Sequence, residues 1–394
     1  VPSAKQFLAL QENRNFEHPP LGKLIIAASI GICGDRPIGW RFMSTVFGAL
    51  TAVGMFLLGL ALFRNEKSAL LVVILSLLNQ LLYVQARVAM LDTFMMAFLV
   101  WGLAWFCFAW DSSLNRNQLI KYLCCAGIMF GLAMACKWTS FTAWFGCLFL
   151  MGVAFRSKHR GIKHIKQIRR YPTLWQELRF LDVFLCFIII PVVVYYITFI
   201  PFFFIHRTPA YTLWDILFKM QWAMWDGQMR VVSDHPYMSN WITWPWMTRP
   251  IWYAYENSGT KNEFVRGVIL LGNPIIMWGG VWAMLSCIWD VVEKRSREAF
   301  FIVAFYVIFF FSWAIIPRKI MFYYYYYPAG MILSLALVFL YHELKHINAK
   351  WTKYGLTVYL AIALGMFIYF FPVLSAYKIS THHFYSLMWF RNWI

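Results

Sequence analysis

Charged side chains are scarce in this sequence. Only 13% of its 394 residues are Asp, Glu, Lys or Arg, whereas soluble domains carry roughly 25%. The chain therefore lacks the ionic surface that a water-soluble domain of this size needs. It is 61% hydrophobic and 20% aromatic, and its apolar runs of about 20 residues are each long enough to cross roughly 30 Å of hydrocarbon. This composition excludes a soluble protein and predicts a helical bundle in a membrane.

Common catalytic and ligand-binding motifs are also missing. The sequence contains no Walker loop, no His-Glu-x-x-His, no Gly-x-Ser-x-Gly and no Cys/His zinc spacing. There is no Cys-x-x-Cys, and all eight cysteines except Cys33 lie inside apolar runs, where cysteine usually serves as a small buried side chain. We therefore expect neither nucleotide hydrolysis nor zinc proteolysis, and we predict no metal site and no required cofactor.

Acidic residues are scarcer than basic ones, with 17 Asp and Glu against 35 Lys and Arg and a formal net charge of +18. Such a basic chain can bind nucleic acid, but the location of the charge argues against that partner. Cytoplasmic loops collect Lys and Arg and attract anionic headgroups, and the densest basic run lies between two predicted spans: Arg156, Lys158, Arg160, Lys163, Lys166, Arg169 and Arg170. We predict contact with membrane lipids and no nucleic-acid partner.

We predict about ten transmembrane helices in a single domain that covers residues 1–394. The spans are expected at 40–63, 69–86, 90–110, 119–136, 138–155, 181–205, 266–289, 299–316, 322–341 and 354–371. The loops after the first, third, fifth, seventh and ninth spans are short and densely basic, which places them in the cytoplasm. The chain opens on Val1 instead of Met, and we expect a further helix upstream of it.

Three longer segments are expected on the opposite, outer side of the membrane: 1–39, 206–265 and 372–394. They are rich in Trp, Tyr, Pro and His, and long loops on a rigid scaffold are the usual place for binding and catalytic residues. Within the first of them, residues 21–34 are too short to span the membrane and fit a helix that lies in the interface.

Five cationic side chains are expected at this outer face: Arg41, Arg87, Lys137, Arg249 and Arg318. Ionisable groups at membrane depth are functional candidates because they are costly to place there. Each one also has a structural explanation, such as an arginine that extends from the interface into water. Guanidinium groups match the oxygens of a phosphate or pyrophosphate headgroup, so the shared side of these cations predicts such a ligand.

Asp92 is one of few carboxylates expected at the outer boundary of the membrane. Arg87 lies five residues earlier across a hairpin, and we predict that the two form an ion pair, whose role can be structural or functional. His18 precedes Pro19, which restricts it to extended geometry and so fixes its imidazole. We name His18 and Asp92 as candidates at the catalytic centre, in positioning roles and not as the general base.

The outer segment 206–265 contains a cluster of aromatic side chains together with a histidine. His235 and Tyr237 flank Pro236, and Trp244 follows within the same outer segment. Tyr and Trp are enriched in interfacial belts, and their rings also make good stacking surfaces for sugars. The sequence leaves both interpretations open.

These residues resemble the protein O-mannosyltransferase family, and the similarity runs in order over nearly the whole chain. The matching segments begin with His18-Pro19-Pro20-Leu21-Gly22-Lys23, Gly39-Trp40-Arg41-Phe42, Phe47-Gly48, Arg87 to Leu91-Asp92, and Lys137-Trp138. They continue with His235-Pro236-Tyr237, Trp244-Pro245, Arg249-Pro250-Ile251-Trp252-Tyr253, Leu271-Gly272-Asn273-Pro274, Pro317-Arg318, and Met388-Trp389-Phe390-Arg391-Asn392-Trp393. No single segment is decisive, but their order and spacing are specific.

The resemblance implies an all-α C-type glycosyltransferase bundle and a sugar donor linked to a lipid phosphate, usually mannose on a polyprenyl or dolichyl carrier. It also implies transfer to Ser or Thr hydroxyls of exported proteins with inversion at the sugar carbon. Arg41, Lys137, Arg249 and Arg318 become candidates for the donor phosphate. Because 206–265 is too short for the β-trefoil-type domain of eukaryotic members, the chain resembles a bacterial member of the inner membrane, with its site facing the periplasm.

The sequence departs from the family pattern in two places. The family's Asp-Glu pair, which contains the proposed general base, is expected immediately upstream of Val1. The family's Tyr-His-Tyr-like stretch is all tyrosine here, and Tyr325 is the expected counterpart of its histidine. Together with His235, Tyr237 and Trp244, we assign Tyr325 to the loop that handles sugar and acceptor.

Two other functions remain open at this point. A related transferase that modifies a glycolipid such as lipid A has nearly the same donor-site residues and differs only in its acceptor. A transporter or a non-catalytic membrane subunit is the third reading, but transporters show inverted repeats and broken helices at the midplane, and the sequence displays neither. The expected partners are the lipid-linked donor, an exported protein and, in a homo- or hetero-oligomer, a second subunit.

Overall fold

The computed structural model describes the chain except residues 14, 112, 161–177, 231–233 and 259–262 and the side chains of 154–160. It divides into two compact units: Val1–Ala69 with Gln85–Val231, and Leu70–Val84 with Val232–Ile394. The helices are α1 (Pro2–Leu8), α2 (Leu21–Cys33), α3 (Pro37–Phe63), α4 (Glu66–Leu78), α5 (Gln80–Gln85), α6 (Leu91–Phe108), α7 (Arg116–Cys136), α8 (Phe141–Arg160), α9 (Phe180–Phe204), α10 (Met220–Met229), α11 (Pro274–Val292), α12 (Arg297–Ile315), α13 (Tyr327–Ile347), α14 (Ala349–Leu374) and α15 (Thr381–Leu387). The strands are β1 (Ile251–Ser258), β2 (Phe264–Leu270) and β3 (Ile379–Ser380).

Within the described residues, eight helices are long and apolar enough to cross a membrane: α3, α6, α7, α9, α11, α12, the helical stretch Tyr323–Ile347 that contains α13, and α14. The other two predicted spans are shorter. The expected span 138–155 is an apolar helix over Trp138–Val153, and the expected span 69–86 is divided into α4 and α5. The basic run 156–170 falls on residues whose side chains or backbone lie outside the described part of the chain.

The break between α4 and α5 is at Asn79. Its amide nitrogen donates to the carbonyl of Gly330 at 3.2 Å, and its side-chain oxygen accepts from the backbone N–H of Leu81 at 3.3 Å. A side chain that offers the backbone an alternative partner interrupts a helix. The carbonyl of Leu78, the last residue of α4, accepts a hydrogen bond from the Asn273 amide at 3.1 Å. Asn273 is the residue before α11, so its side chain supplies the hydrogen bond that this carbonyl lacks within α4.

The predicted span 266–289 was wrong at its start, because its first residues form a strand. β2 pairs antiparallel with β1, with Leu270 opposite Ile251, and β3 pairs with the other edge of β2. Val265, Gly267 and Ile269 of β2 are buried at alternating positions, which is typical of a strand with one side against the core. The helix begins only at Pro274, where the Asn273 side chain accepts from the backbone N–H of Ile275 at 3.1 Å. The described residues thus contain a small sheet beside the helices that the sequence predicted.

Candidate functional site

The turn into α2 is held by a buried lysine. The Lys23 ammonium donates to the carbonyl of His18 at 2.7 Å and also to the carbonyl of Asn15. Lys23 is 4% exposed; burial lowers its pKa from 10.5 to about 7, against an opposing effect of the Glu17 carboxylate. Sequence reasoning placed His18 here, but it missed Lys23 as the side chain that fixes the turn.

The same turn is held from α10. The Gln228 amide donates to the Glu17 carbonyl at 2.8 Å and lies 3.4 Å from Nδ1 of His18. The backbone carbonyls of Glu17 and His18 are therefore both anchored by side chains. The helix that supplies Gln228 was not among the predicted elements, because 206–265 was treated as a loop.

The hairpin 85–92 is packed between α2 and α3 at two glycines. A Cβ on Gly22 would lie 2.7 Å from the Leu91 side chain, and one on Gly48 would lie 2.3 Å from the Ala86 Cβ. Real Cβ atoms do not approach that closely. Ala86 has no flexible side chain to move aside, so this packing requires glycine at position 48, whereas at Gly22 the nearest atom is the mobile end of the Leu91 side chain. The Thr45 hydroxyl adds a hydrogen bond to the Ala86 carbonyl at 3.3 Å. The hairpin that carries Arg87 and Asp92 is thereby fixed against both helices.

Asp92 is paired with Lys137. The ammonium lies 2.8 Å and 2.9 Å from the two carboxylate oxygens, and the residues are 2% and 4% exposed. The partner predicted from the sequence was Arg87, whereas the ion pair in the structure joins Asp92 to Lys137, 45 residues further along the chain. Lys137, which we expected to contact a phosphate, has its charge directed at Asp92.

Arg41 lies in the second turn of α3, and its side chain is exposed. It shares a helix face with Thr45 and Gly48, since residues four and seven apart lie on one side, and this face contacts the hairpin. Among the described residues, no hydrogen bond or ion pair engages its guanidinium. Of the cations that the sequence nominated in this unit, Arg41 has the most accessible guanidinium.

A cavity of about 300 Å³ lies beside the α2 turn. His18 and Lys23 line one wall, while the segment from α9 to α10 supplies the opposite wall with Phe202, Arg207, Tyr211, Asp215 and Lys219. Arg207 is paired with Glu12 at 3.0 Å and stands over the Tyr211 ring at 4.5 Å. The walls of this cavity therefore combine aromatic surface with charges of both signs.

In the second unit, the aromatic residues nominated by the sequence form one cluster. Tyr325 stacks on Trp313 with ring centroids 4.4 Å apart, and the Arg318 guanidinium lies 5.1 Å from the Tyr325 ring. The Trp244 ring meets Trp313 edge to face at 5.6 Å. Trp244 is 1% exposed and Tyr325 is 4% exposed, so neither presents an open face to a sugar.

Arg249 joins the 235–237 segment to the last residues of the chain. Its guanidinium donates to the Pro236 carbonyl at 2.6 Å and 3.1 Å and to the Asn392 carbonyl at 2.6 Å. It also stands 5.7 Å from the Tyr237 ring, and the His235 ring contacts Phe322 edge to face at 5.1 Å. The hydrogen-bond partners of Arg249 in the structure are thus backbone carbonyls, whereas the sequence predicted contact with a phosphate.

The candidate residues therefore form two groups, one in each unit. His18, Arg41, Asp92 and Lys137 surround the hairpin and the α2 turn, with Lys23 and Gln228 added by the structure. The second group contains Arg249, Arg318, His235, Tyr237, Trp244 and Tyr325, with Trp313 added. A fixed hairpin beside an exposed guanidinium can hold an anionic group in one orientation, which suits transfer from a phosphate leaving group.

Two protein-family models match this chain, and together they cover both groups of candidate residues. Residues 17–196 match the family model of dolichyl-phosphate-mannose-protein mannosyltransferase, and residues 213–393 match that of the C-terminal four-transmembrane region of protein-O-mannosyltransferase. A polyprenol-phosphate-mannose–protein mannosyltransferase of Corynebacterium glutamicum is 25% identical and covers 95% of this chain and 81% of its own. The protein of the same name from Mycobacterium tuberculosis is 24% identical over 95% and 80%.

Solved structures show the same fold. One chain of the S. cerevisiae protein O-mannosyltransferase Pmt1-Pmt2 complex bound to the sugar donor has a TM-score of 0.78 at 12% identity and covers 99% of this chain and 88% of its own. ArnT from Cupriavidus metallidurans bound to undecaprenyl phosphate has a TM-score of 0.60 at 13% identity, over 94% and 64%. The C-type glycosyltransferase bundle that the sequence predicted is confirmed.

Proposed function

Because the chain belongs to the protein O-mannosyltransferase family and is a membrane glycosyltransferase, we propose that it moves a mannosyl group from a polyprenyl-phosphate carrier to Ser or Thr hydroxyls of exported proteins. The observation that carries this proposal is the order of matches to one family over residues 17–393. The curated relatives are named for that donor and for a protein acceptor, which favours protein over a glycolipid.

The transfer forms a bond between the acceptor oxygen and the sugar carbon and breaks the bond from that carbon to the phosphate oxygen. A carboxylate must take the hydroxyl proton as the new bond forms. The phosphate leaves as an anion, and we assign its stabilisation to Arg41. Arg41 is exposed at the start of α3 beside the fixed hairpin, so its guanidinium is available to a ligand. His18 and the Asp92–Lys137 pair hold the surrounding backbone in place.

We place the enzyme in a bacterial inner membrane with its site towards the periplasm. This orientation rests on the basic loops, since short loops rich in Lys and Arg remain in the cytoplasm. The curated relatives come from bacteria. The comparison with a two-subunit complex makes a second subunit a further partner to test.

The proposal is tested with purified full-length enzyme and polyprenyl-phosphate mannose that carries a radiolabel. The acceptors are a peptide rich in Ser and Thr, the same peptide with each hydroxyl residue changed to Ala, and lipid A. We expect label on the first peptide only. Label on lipid A without label on the peptide would show that the acceptor is a glycolipid, and no transfer from this donor to any acceptor would contradict the proposed donor.

A further inference from the structure

An apolar groove lies in the second unit, and none of the residues assigned to transfer lines it. Its volume is about 430 Å³, and it is formed by α4, α13 and α14. The side chains that line it include Leu75, Leu337, Leu344, Trp351 and Tyr359. A site of this size is within the range of small-ligand pockets, and its walls are almost entirely hydrocarbon and aromatic.

The groove is open because α14 carries no side chain at Gly355. A Cβ built there would have no atom within 4 Å. Trp351 beside it is 69% exposed and Leu344 is 44% exposed, and the Tyr359 hydroxyl is already used, since it donates to the Ile275 carbonyl at 2.7 Å. These features leave apolar surface for an occupant that brings hydrocarbon and few hydrogen bonds.

Three lysines are each next in sequence to a residue that lines the groove: Lys345 to Leu344, Lys350 to Trp351 and Lys353 to Thr352. Lys345 lies in the last turn of α13, and Lys350 and Lys353 lie in the first turns of α14; all three are exposed. The nearby carboxylate of Glu343 is paired with Lys294, so it does not offset the lysines. Trp351, next in sequence to Lys350, is the type of residue that anchors at the headgroup level of a bilayer.

We propose that this groove binds one acyl chain of an anionic phospholipid, whose headgroup phosphate contacts Lys345, Lys350 and Lys353. The hydrocarbon walls fit the chain, and the lysines complement the negative headgroup. The bound lipid contacts both α13 and α14. Because it binds only the folded protein, it raises the free energy of unfolding. The proposal is independent of the transfer reaction, because none of these residues is in the assigned machinery.

The test uses native mass spectrometry of the full-length, delipidated protein titrated with phosphatidylglycerol or with phosphatidylcholine of identical acyl chains. We expect one phosphatidylglycerol to be retained at concentrations where phosphatidylcholine is not. Gly355→Leu fills the groove and should weaken this binding about tenfold. The matched control is Gly365→Leu on the same helix, because a Cβ at Gly365 also has no atom within 4 Å but lies outside the groove; it should bind as the parent does.

A second variant tests the headgroup separately and leaves the groove intact. The triple substitution Lys345→Gln, Lys350→Gln and Lys353→Gln changes only exposed side chains and should remove the preference for phosphatidylglycerol. Equal binding by the parent and Gly355→Leu would overturn the groove as the site, and equal retention of both lipids by the parent would overturn the anionic headgroup. A dimer that dissociates in Gly355→Leu would overturn the lipid and assign the groove to a second copy of the chain.

Discussion

The Lys137 ammonium hydrogen-bonds both carboxylate oxygens of Asp92, and this pair ties the start of α6 to the residue that ends α7. Both side chains are almost fully buried. An ion removed from water and left without its partner is far more costly than the same pair intact. The pair is therefore a structural element whose two halves depend on each other.

We predict that Asp92→Asn destabilises the protein and lowers activity and yield together. Removal of one partner from a buried pair costs about 3–5 kcal/mol, because the Lys137 charge stays buried without compensation. The double variant Asp92→Leu with Lys137→Met should recover much of this stability, since it removes both charges. Thermal unfolding in detergent, donor binding and turnover are measured on each protein.

The control for this prediction is Asp226→Asn, which breaks the exposed pair with Arg230 and should cost only about 0–1 kcal/mol. A different result for Asp92→Asn would change its assignment. If that variant is as stable as the parent and binds donor but transfers nothing, Asp92 is the catalytic base and not a positioning residue.

We predict that Arg41→Lys lowers kcat/KM about 10- to 100-fold with little change in stability. The substitution keeps the charge but loses the two-pronged contact to phosphate, and a hydrogen bond to a charged group contributes about 1.5–3 kcal/mol. Steady-state transfer assays and thermal unfolding separate the two effects. Arg64→Lys, at the opposite end of the same helix, is the control and should be fully active. Parental activity in Arg41→Lys would remove Arg41 from the mechanism.

We predict that stability rises with pH above about 7 because of Lys23. The folded protein releases the Lys23 proton near pH 7, whereas an unfolded chain keeps it to about pH 10. The unfolded state binds more protons between these values, so the free energy of unfolding increases with pH across this window. The unfolding temperature of the parent should therefore rise from pH 7 to pH 9 relative to that of Lys23→Met.

The control for the pH experiment is Lys219→Met, which changes an exposed lysine of the same cavity and should leave the parental pH profile in place. A Lys23→Met protein with the same rise as the parent would show that another group titrates.

We predict that Arg249→Gln loosens the end of the chain. The guanidinium links the Pro236 and Asn392 carbonyls, and loss of its charged hydrogen bonds should raise amide exchange in 388–394 on the order of tenfold. Hydrogen–deuterium exchange of the purified protein measures this. Arg266→Gln, which alters an exposed residue on β2, should leave that exchange unchanged, and equal effects of the two variants would contradict the docking role.

We predict that the two sides of the membrane differ in access to a reagent that does not cross it. Glu256→Cys on β1 should be labelled by an impermeant maleimide in intact cells, and Lys350→Cys should be labelled only after the membrane is opened. Both positions are exposed in the structure, and the parent sets the background. Labelling of Lys350→Cys in sealed cells would reverse the assigned orientation.

The sequence alone predicted the features that depend on local pattern. Apolar length located most spans to within a few residues, because a helix in hydrocarbon must satisfy its backbone within its own segment. The ordered segments around His18, Arg41 and Asp92 were enough to identify the family. Proline also restricts the turn into α2, where Pro19 and Pro20 leave few alternative conformations.

What only the tertiary structure decided is which distant groups meet. Asp92 is near Arg87 in sequence but near Lys137 in space, and no local pattern distinguishes the two partners. The apolar residues of β2 are equally compatible with the start of a transmembrane helix. They form a strand because they pair with β1, and strand formation depends on such neighbours. Asn79 breaks a helix because the Gly330 carbonyl lies within its reach. The choice of hydrogen-bond and ion-pair partners follows three-dimensional proximity, and that proximity exists only once the helices have packed.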